Sequence, residues 1–131
     1  MDCLFCSIIA GDIPSRKVYE DEVAYAFLDI EPWHPGHTLV VPKRHVDDLT
    51  GDPTVLTEIA PAISAVSRLL VDRLDADGLN MISSAGPVAG QEVFHLHVHL
   101  VPRTDDHPGL QELFRKQVID DPDEVLARIV G

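Results

Sequence analysis

Positive charge is scarce in this chain. Ten Lys and Arg stand against 22 Asp and Glu, a formal net charge of -12 over 131 residues. A surface of that sign repels nucleic acid and anionic membranes, which argues against both as partners. A small phosphorylated ligand stays open, because it needs only a local set of donors. Long apolar runs are also missing, and none approaches the roughly 20 residues that span a bilayer. No basic segment followed by an apolar run opens the chain, so no secretory signal is read. Only two cysteines occur, Cys3 and Cys6, spaced C-x-x-C. The expected compartment is the cytoplasm, where thiols stay reduced and such a pair binds metal or does redox chemistry more often than it cross-links.

What is present suits one compact domain. Hydrophobic residues make up 45% and charged residues 24%, enough apolar material for a single core. Residues 4–10 read as a short helix stopped by Gly11 and Pro14. Residues 17–20 and 23–28 read as strands around Asp21-Glu22, and residues 30–36 as a loop holding Pro32, Pro35 and Gly36. Residues 38–41 read as a buried strand ended by Pro42. Residues 53–74 read as a long helix capped by Asp52. Val55, Ile59, Ile63, Val66, Leu70 and Leu74 form its apolar face, and Pro61 should kink or split it. Residues 80–84 read as a strand, 83–90 as a tight loop, and 93–101 as a strong strand ended by Pro102. Residues 110–117 and 122–130 read as short helices. This order predicts an α+β fold with a mainly antiparallel sheet.

Seven histidines are many for this length, and three alternate in the run His95-Leu96-His97-Val98-His99. On a strand they share one face. Three readings follow from the residues alone. They are a solvated strand face, a three-histidine metal centre, or nucleophilic catalysis by a neutral imidazole. One strand supplies a tetrahedral centre poorly, which weighs against the second.

The flanking residues bear on the choice. Gly90-Gln91-Glu92-Val93-Phe94 leads into the histidines, and Val101-Pro102-Arg103 follows. Upstream stand Gly36-His37-Thr38-Leu39-Val40-Val41-Pro42-Lys43-Arg44-His45, Phe27-Leu28-Asp29-Ile30, and residues 4–14. Together these resemble the histidine-triad (HIT) nucleotide hydrolases and transferases, over about residues 1–103 of a single domain spanning 1–131, with 104–131 as a C-terminal tail. The resemblance implies a HIT-like α+β fold: about five antiparallel strands, one long helix, a short N-terminal helix and a two-fold dimer. It implies His97 as nucleophile toward the α-phosphorus of a nucleotide, through a covalent nucleotidyl-histidine. His99 would contact the phosphate, His37 would support the triad, and Gln91 would lie near the bridging atom. Main-chain N–H groups around residues 90–93, Gly90 and Val93 included, would serve phosphate oxygens. Asp29 would accept from the ribose hydroxyls. Phe5, Ile8, Phe27 and Ile30 fall where the family lines the base pocket, although core packing explains such residues equally well.

Two positions depart from the pattern. Ser84 stands where many members carry Asn, a shorter donor on the phosphate side. Glu92 stands where many carry Ser or Thr, and a carboxylate beside a phosphate is repulsive. The expected activity is hydrolysis of nucleoside 5′-phosphoramidates or related purine nucleotide conjugates, needing no cofactor in the chemical step. Dinucleoside polyphosphate hydrolysis and nucleotide binding with little turnover are the alternatives. The likeness to bacterial members with an N-terminal C-x-x-C also implies a structural zinc held by Cys3, Cys6, His45 and His95. A redox pair is the rival for Cys3 and Cys6. His34, His107, Lys43 and Arg44 read as solvated, and Trp33 as an interface residue.

Overall fold

The computed structural model describes residues 2–110 and 114–131. A short helix α1 (Leu4–Ile9) precedes strands β1 (Lys17–Glu20), β2 (Ala24–Leu28) and β3 (Thr38–Pro42). Helix α2 (Val55–Leu74) follows, then strands β4 (Gly78–Ile82) and β5 (Val98–Arg103), and helix α3 (Pro122–Val130). The five strands form one sheet in the order β1-β2-β3-β5-β4, with every neighbouring pair antiparallel. The expected fold class, five-stranded antiparallel sheet, long helix and short N-terminal helix are therefore present. Among the described residues, no helix is long and apolar enough to cross a membrane.

The sheet is covered on both faces, and strand alternation decides what meets what. Ala24, Ala26, Val40, Val98 and Leu100 pack with Val55, Ile59, Ala62, Val66 and Leu70 of α2. Tyr25, Phe27, Leu39 and Val41 pack with Phe5 and Ile8 of α1. Burying each large aliphatic or Phe side chain stabilises by about 1.5–3 kcal/mol, so the longer α2 layer dominates. The alternation in β5 gives Val98 and Leu100 to α2 and His99 to the α1 face.

Four local expectations need correction. Helix α2 runs unbroken through Pro61. The missing N–H forfeits one bond to the Thr57 carbonyl, and the buried stripe on either side holds the helix together. Asp52 does not cap α2; its Oδ1 accepts from the N–H and hydroxyl of Thr54, both at 2.7 Å, and so shapes the entering turn. The strand expected from residue 93 begins only at Val98. Extending the β3–β5 register would set Leu96 opposite Pro42, which has no N–H to pair. Leu96 instead donates to the Val46 carbonyl at 2.7 Å. Finally, β4 lies two residues earlier than expected, which frees Ser83 to donate to the His97 carbonyl at 2.9 Å.

Of the tail helices, α3 forms as expected, with the Asp121 carboxylate accepting from the Glu124 N–H at 3.0 Å. The helix expected over 110–117 falls partly on residues 111–113, outside the described residues, and residues 114–117 are not helical.

Gly36 has φ +93°, and a Cβ there would run into the side chains of Leu74 and Pro102. Gly11 has φ +86° but open space around it. Gly36→Ala is expected to cost about 1–3 kcal/mol from backbone strain, with crowding added. Gly11→Ala should cost less, and urea unfolding of the two variants checks the order.

Candidate active site

His97 and His99 lie on the α1 side of the sheet. The edge of the His97 ring meets Phe5 at 5.1 Å between centroids, and His99 stands 5.0 Å from it on the other side. The Nδ1 atom of His97 lies 2.7 Å from the His95 carbonyl oxygen. A carbonyl only accepts, so Nδ1 carries the proton and donates it. In the neutral ring Nε2 then keeps its lone pair, the form that nucleophilic attack requires.

His99 belongs to a second chain of bonds. The main-chain N–H of Trp33 donates to His37 Nδ1 at 3.0 Å. Neutral His37 therefore holds its proton on Nε2, which lies 2.8 Å from His99 Nδ1 and donates to it. His99 in turn carries its proton on Nε2, as a donor left over for a ligand. Burial lowers the pKa of His37; Asp29, with Oδ2 at 3.6 Å, opposes the fall, while Arg103 and His97 add to it. Burial, then His97 and His37, pushes His99 down to about 4. Both rings are neutral at pH 7, as the bond directions require.

Trp33 was missed as a site residue by sequence reasoning, which read it as an interface aromatic. Its indole stacks on His99 at 4.6 Å and 17°, and lies 4.6 Å from the His37 ring. The available signal was an aromatic four residues before His37, in a loop stiffened by Pro32 and Pro35.

Gln91 is buried, and its amide is fully engaged. Its Oε1 accepts from the Gly86 N–H at 2.8 Å, and its Nε2 donates to the carbonyls of Asp47 at 2.7 Å and Val93 at 3.0 Å. The Gln91 N–H bonds the Gly86 carbonyl at 3.1 Å. Gln91 thus closes the loop over residues 83–91, in which Gly86 and Gly90 take φ of 91° and 108°. Its own N–H is not left over for an anion, a narrower outcome than the sequence suggested. Ser84 lies beside Gly90 in this loop. Glu92 is exposed and lines a cavity of about 390 Å³ with Asp2, Cys3, His45 and Asp47.

Phe5, Ile8 and Phe27 are core residues of the α1 layer, whereas Ile30 is 84% exposed. Asp29 is half-buried, its Oδ1 accepting from the Glu31 N–H at 2.9 Å. Lys43 pairs with Glu20 at 2.8 Å, and Arg44 with Asp52 at 2.9 Å and Glu58 at 2.8 Å. His34 and His107 meet each other at 4.6 Å.

Cys3, Cys6, His45 and His95 come together with their ligand atoms all within 4.8 Å of one another. His95 Nδ1 lies 3.4 Å from Cys3 Sγ and 3.5 Å from Cys6 Sγ, and His45 Nδ1 lies 3.5 Å from Cys6 Sγ. The outer nitrogens are held by acceptors: His95 Nε2 donates to the Pro42 carbonyl at 2.8 Å, and His45 Nε2 to Asp47 at 2.8 Å. Both Nδ1 lone pairs therefore face the two sulfurs. A Cys2His2 set with fixed tautomers, Cys3 and His95 buried and Cys6 and His45 half-buried, could hold a metal ion. Without a cation, burial and then the neighbouring Cys3 raise the Cys6 pKa, which opposes thiolate formation.

The depressed pKa values of His37 and His99 set a pH dependence. The unfolded chain takes up these protons near pH 6.5 and the folded chain only lower, for His99 near 4. The unfolded state therefore binds more protons in that window. Stability is expected to be complete above pH 6.5 and to fall toward pH 4, and urea midpoints should show a weaker fall in His99→Asn.

Comparison with known proteins agrees with this geometry. The HIT domain matches residues 10–106. The chain is 41% identical to Protein hit of Bacillus subtilis over 129 residues, 98% of this chain and 89% of that protein. It is 40% identical over 109 residues to an adenosine 5′-monophosphoramidase of Saccharomyces cerevisiae, covering 82% of this chain and 66% of that protein. The crystal structure of a HIT-family member from Bacillus subtilis superposes with a TM-score of 0.85 at 41% identity, over 98% of this chain and 92% of that one. With the triad, its supporting histidine and the fold all in place, the chain belongs to the HIT domain family.

Proposed function

We propose that the chain hydrolyses nucleoside 5′-phosphoramidates, or related purine nucleotide conjugates, at the α-phosphorus. The observation that carries this reading is the 2.7 Å bond from His97 Nδ1–H to the His95 carbonyl, which leaves the lone pair of the neutral ring on Nε2. That nitrogen attacks phosphorus, the N–P bond forms, and the amine leaves with its bonding pair and gains a proton. Water then displaces the histidine and releases the nucleoside monophosphate. The Nε2–H of His99 donates to a phosphoryl oxygen where negative charge builds up. The N–H groups of Glu92 and Val93 serve the same oxygens, and Gln91 acts by holding the loop that presents them. Asp29 and the exposed Ile30 take the ribose and base. The monophosphoramidase named among the relatives supports the substrate class.

Cys3, Cys6, His45 and His95 bind structural zinc in this reading. All four protein positions are filled, so the metal supplies cross-linking and no open site for water. It ties α1 to the segment after β3 and to the approach of β5. A two-fold dimer belongs to the same reading: β4 is an edge strand with Met81 exposed, and Leu56 and Leu74 are exposed on α2.

Rapid quench with a labelled adenosine 5′-phosphoramidate is expected to trap nucleotide on the protein. His97→Ala should abolish the adduct and cut turnover by roughly 10⁴-fold or more, as loss of a nucleophile does. Tight nucleotide binding with no adduct in the unaltered protein would turn the reading into that of a binding module. Faster hydrolysis of a dinucleoside polyphosphate than of any phosphoramidate would move the substrate class.

Metal analysis is expected to give one zinc per chain. A chelator should lower the melting temperature while the activity of protein that stays folded persists. Loss of activity without loss of fold would place the metal in the chemistry instead.

A further inference from the structure

Trp33 has a side chain that the core does not need. It is 48% exposed, yet its indole lies nearly parallel to the His99 ring at 4.6 Å. Its backbone N–H fixes the tautomer of His37, and its side chain covers the partner that His37 addresses. Resting on the function proposed above, we propose that the Trp33 indole is a positioning residue. It holds the His99 ring in the one orientation in which Nδ1 meets His37 and Nε2–H is left for the phosphate.

The physical problem it solves is freedom of the ring about its side-chain torsions. Swinging the His99 ring out of its present plane breaks the bond from His37 and withdraws the Nε2 donor. The hydrogen bond from His37 opposes this, but one such bond favours an orientation only roughly fivefold. His97 meets the ring at 66° and 5.0 Å, an edge contact. Face stacking by the indole holds the ring in its plane and adds a bias of similar size. The other groups that act on the pair are Asp29, and His97 and Arg103 on the segment that carries His99 itself. A positioning error at a donor that stabilises developing charge appears in the chemical step more than in binding.

The test compares the unaltered protein with Trp33→Ala and Trp33→Phe. Both variants keep the main-chain N–H to His37, so only the ring is removed or replaced. Nitrogen-15 NMR of the side chains reads the His99 ring directly. In the unaltered protein it should show one protonated and one lone-pair nitrogen. In Trp33→Ala the two signals should move toward their average, and in Trp33→Phe they should separate again. With an adenosine 5′-phosphoramidate, Trp33→Ala should lower kcat by roughly ten- to a hundredfold, with KM changed less than about threefold. Trp33→Phe should stay within about threefold of the unaltered protein. His99 signals in Trp33→Ala identical to those of the unaltered protein would overturn the proposal, as would unchanged kcat. Equal loss of melting temperature in both variants with unmoved ring signals would reduce Trp33 to a packing residue. If the unaltered protein turns over no nucleotide conjugate, the functional reading falls separately, and the ring signals still decide whether the indole orders His99.

Discussion

A carbonyl oxygen has no proton to give, and the geometry of the candidate site depends on that fact. Because the His95 carbonyl takes the His97 Nδ1 proton, the opposite nitrogen must carry a lone pair whenever the ring is neutral. The same logic runs in the other direction through the Trp33 amide, which can only donate. It forces His37 and then His99 into the opposite tautomer. Two backbone groups, one acceptor and one donor, thus leave an outward lone pair on one neutral ring and an outward N–H on another of identical chemistry. No charged residue is needed to set this polarity. Burial then keeps the relay neutral by penalising the imidazolium forms.

The scaffold serves these bonds. The His97 carbonyl is held by Ser83 just past the end of β4, and the loop over residues 83–91 is closed by the Gln91 amide and backbone. The cluster of Cys3, Cys6, His45 and His95 reaches within two residues of His97, and His95 belongs to both arrangements. Its ring faces the sulfurs while its carbonyl holds His97. The first turn of α1 is shaped for this, since the Cys3 sulfur accepts the Cys6 N–H at 3.3 Å in place of an oxygen cap.

Most of the architecture was legible in the sequence because it follows from periodicity. The apolar stripe of α2 and the β-branched run of β3 are local patterns with one solution each. The start of β5 was not legible, because it depends on Pro42 standing opposite Leu96 across two strands. The site showed the same division. The donor set of Cys3, Cys6, His45 and His95 was named from spacing and resemblance, and the chain does bring it together. The role of Gln91 in closing a loop was hidden, since it requires knowing that the chain doubles back at Gly86. The stacking of Trp33 on His99 joins residues far apart in sequence, and no local pattern announces it.

Strand β5 is bonded on both sides, to β3 and to β4. A slip of one residue against either neighbour would turn His99 toward α2 and push Val98 and Leu100 out of the core. The penalty would fall on several buried aliphatic side chains at once. A misaligned but intact molecule is therefore not an accessible state. The register that buries Val98 and Leu100 is therefore the same register that sets His99 on the α1 side, and a molecule stable enough to persist carries both.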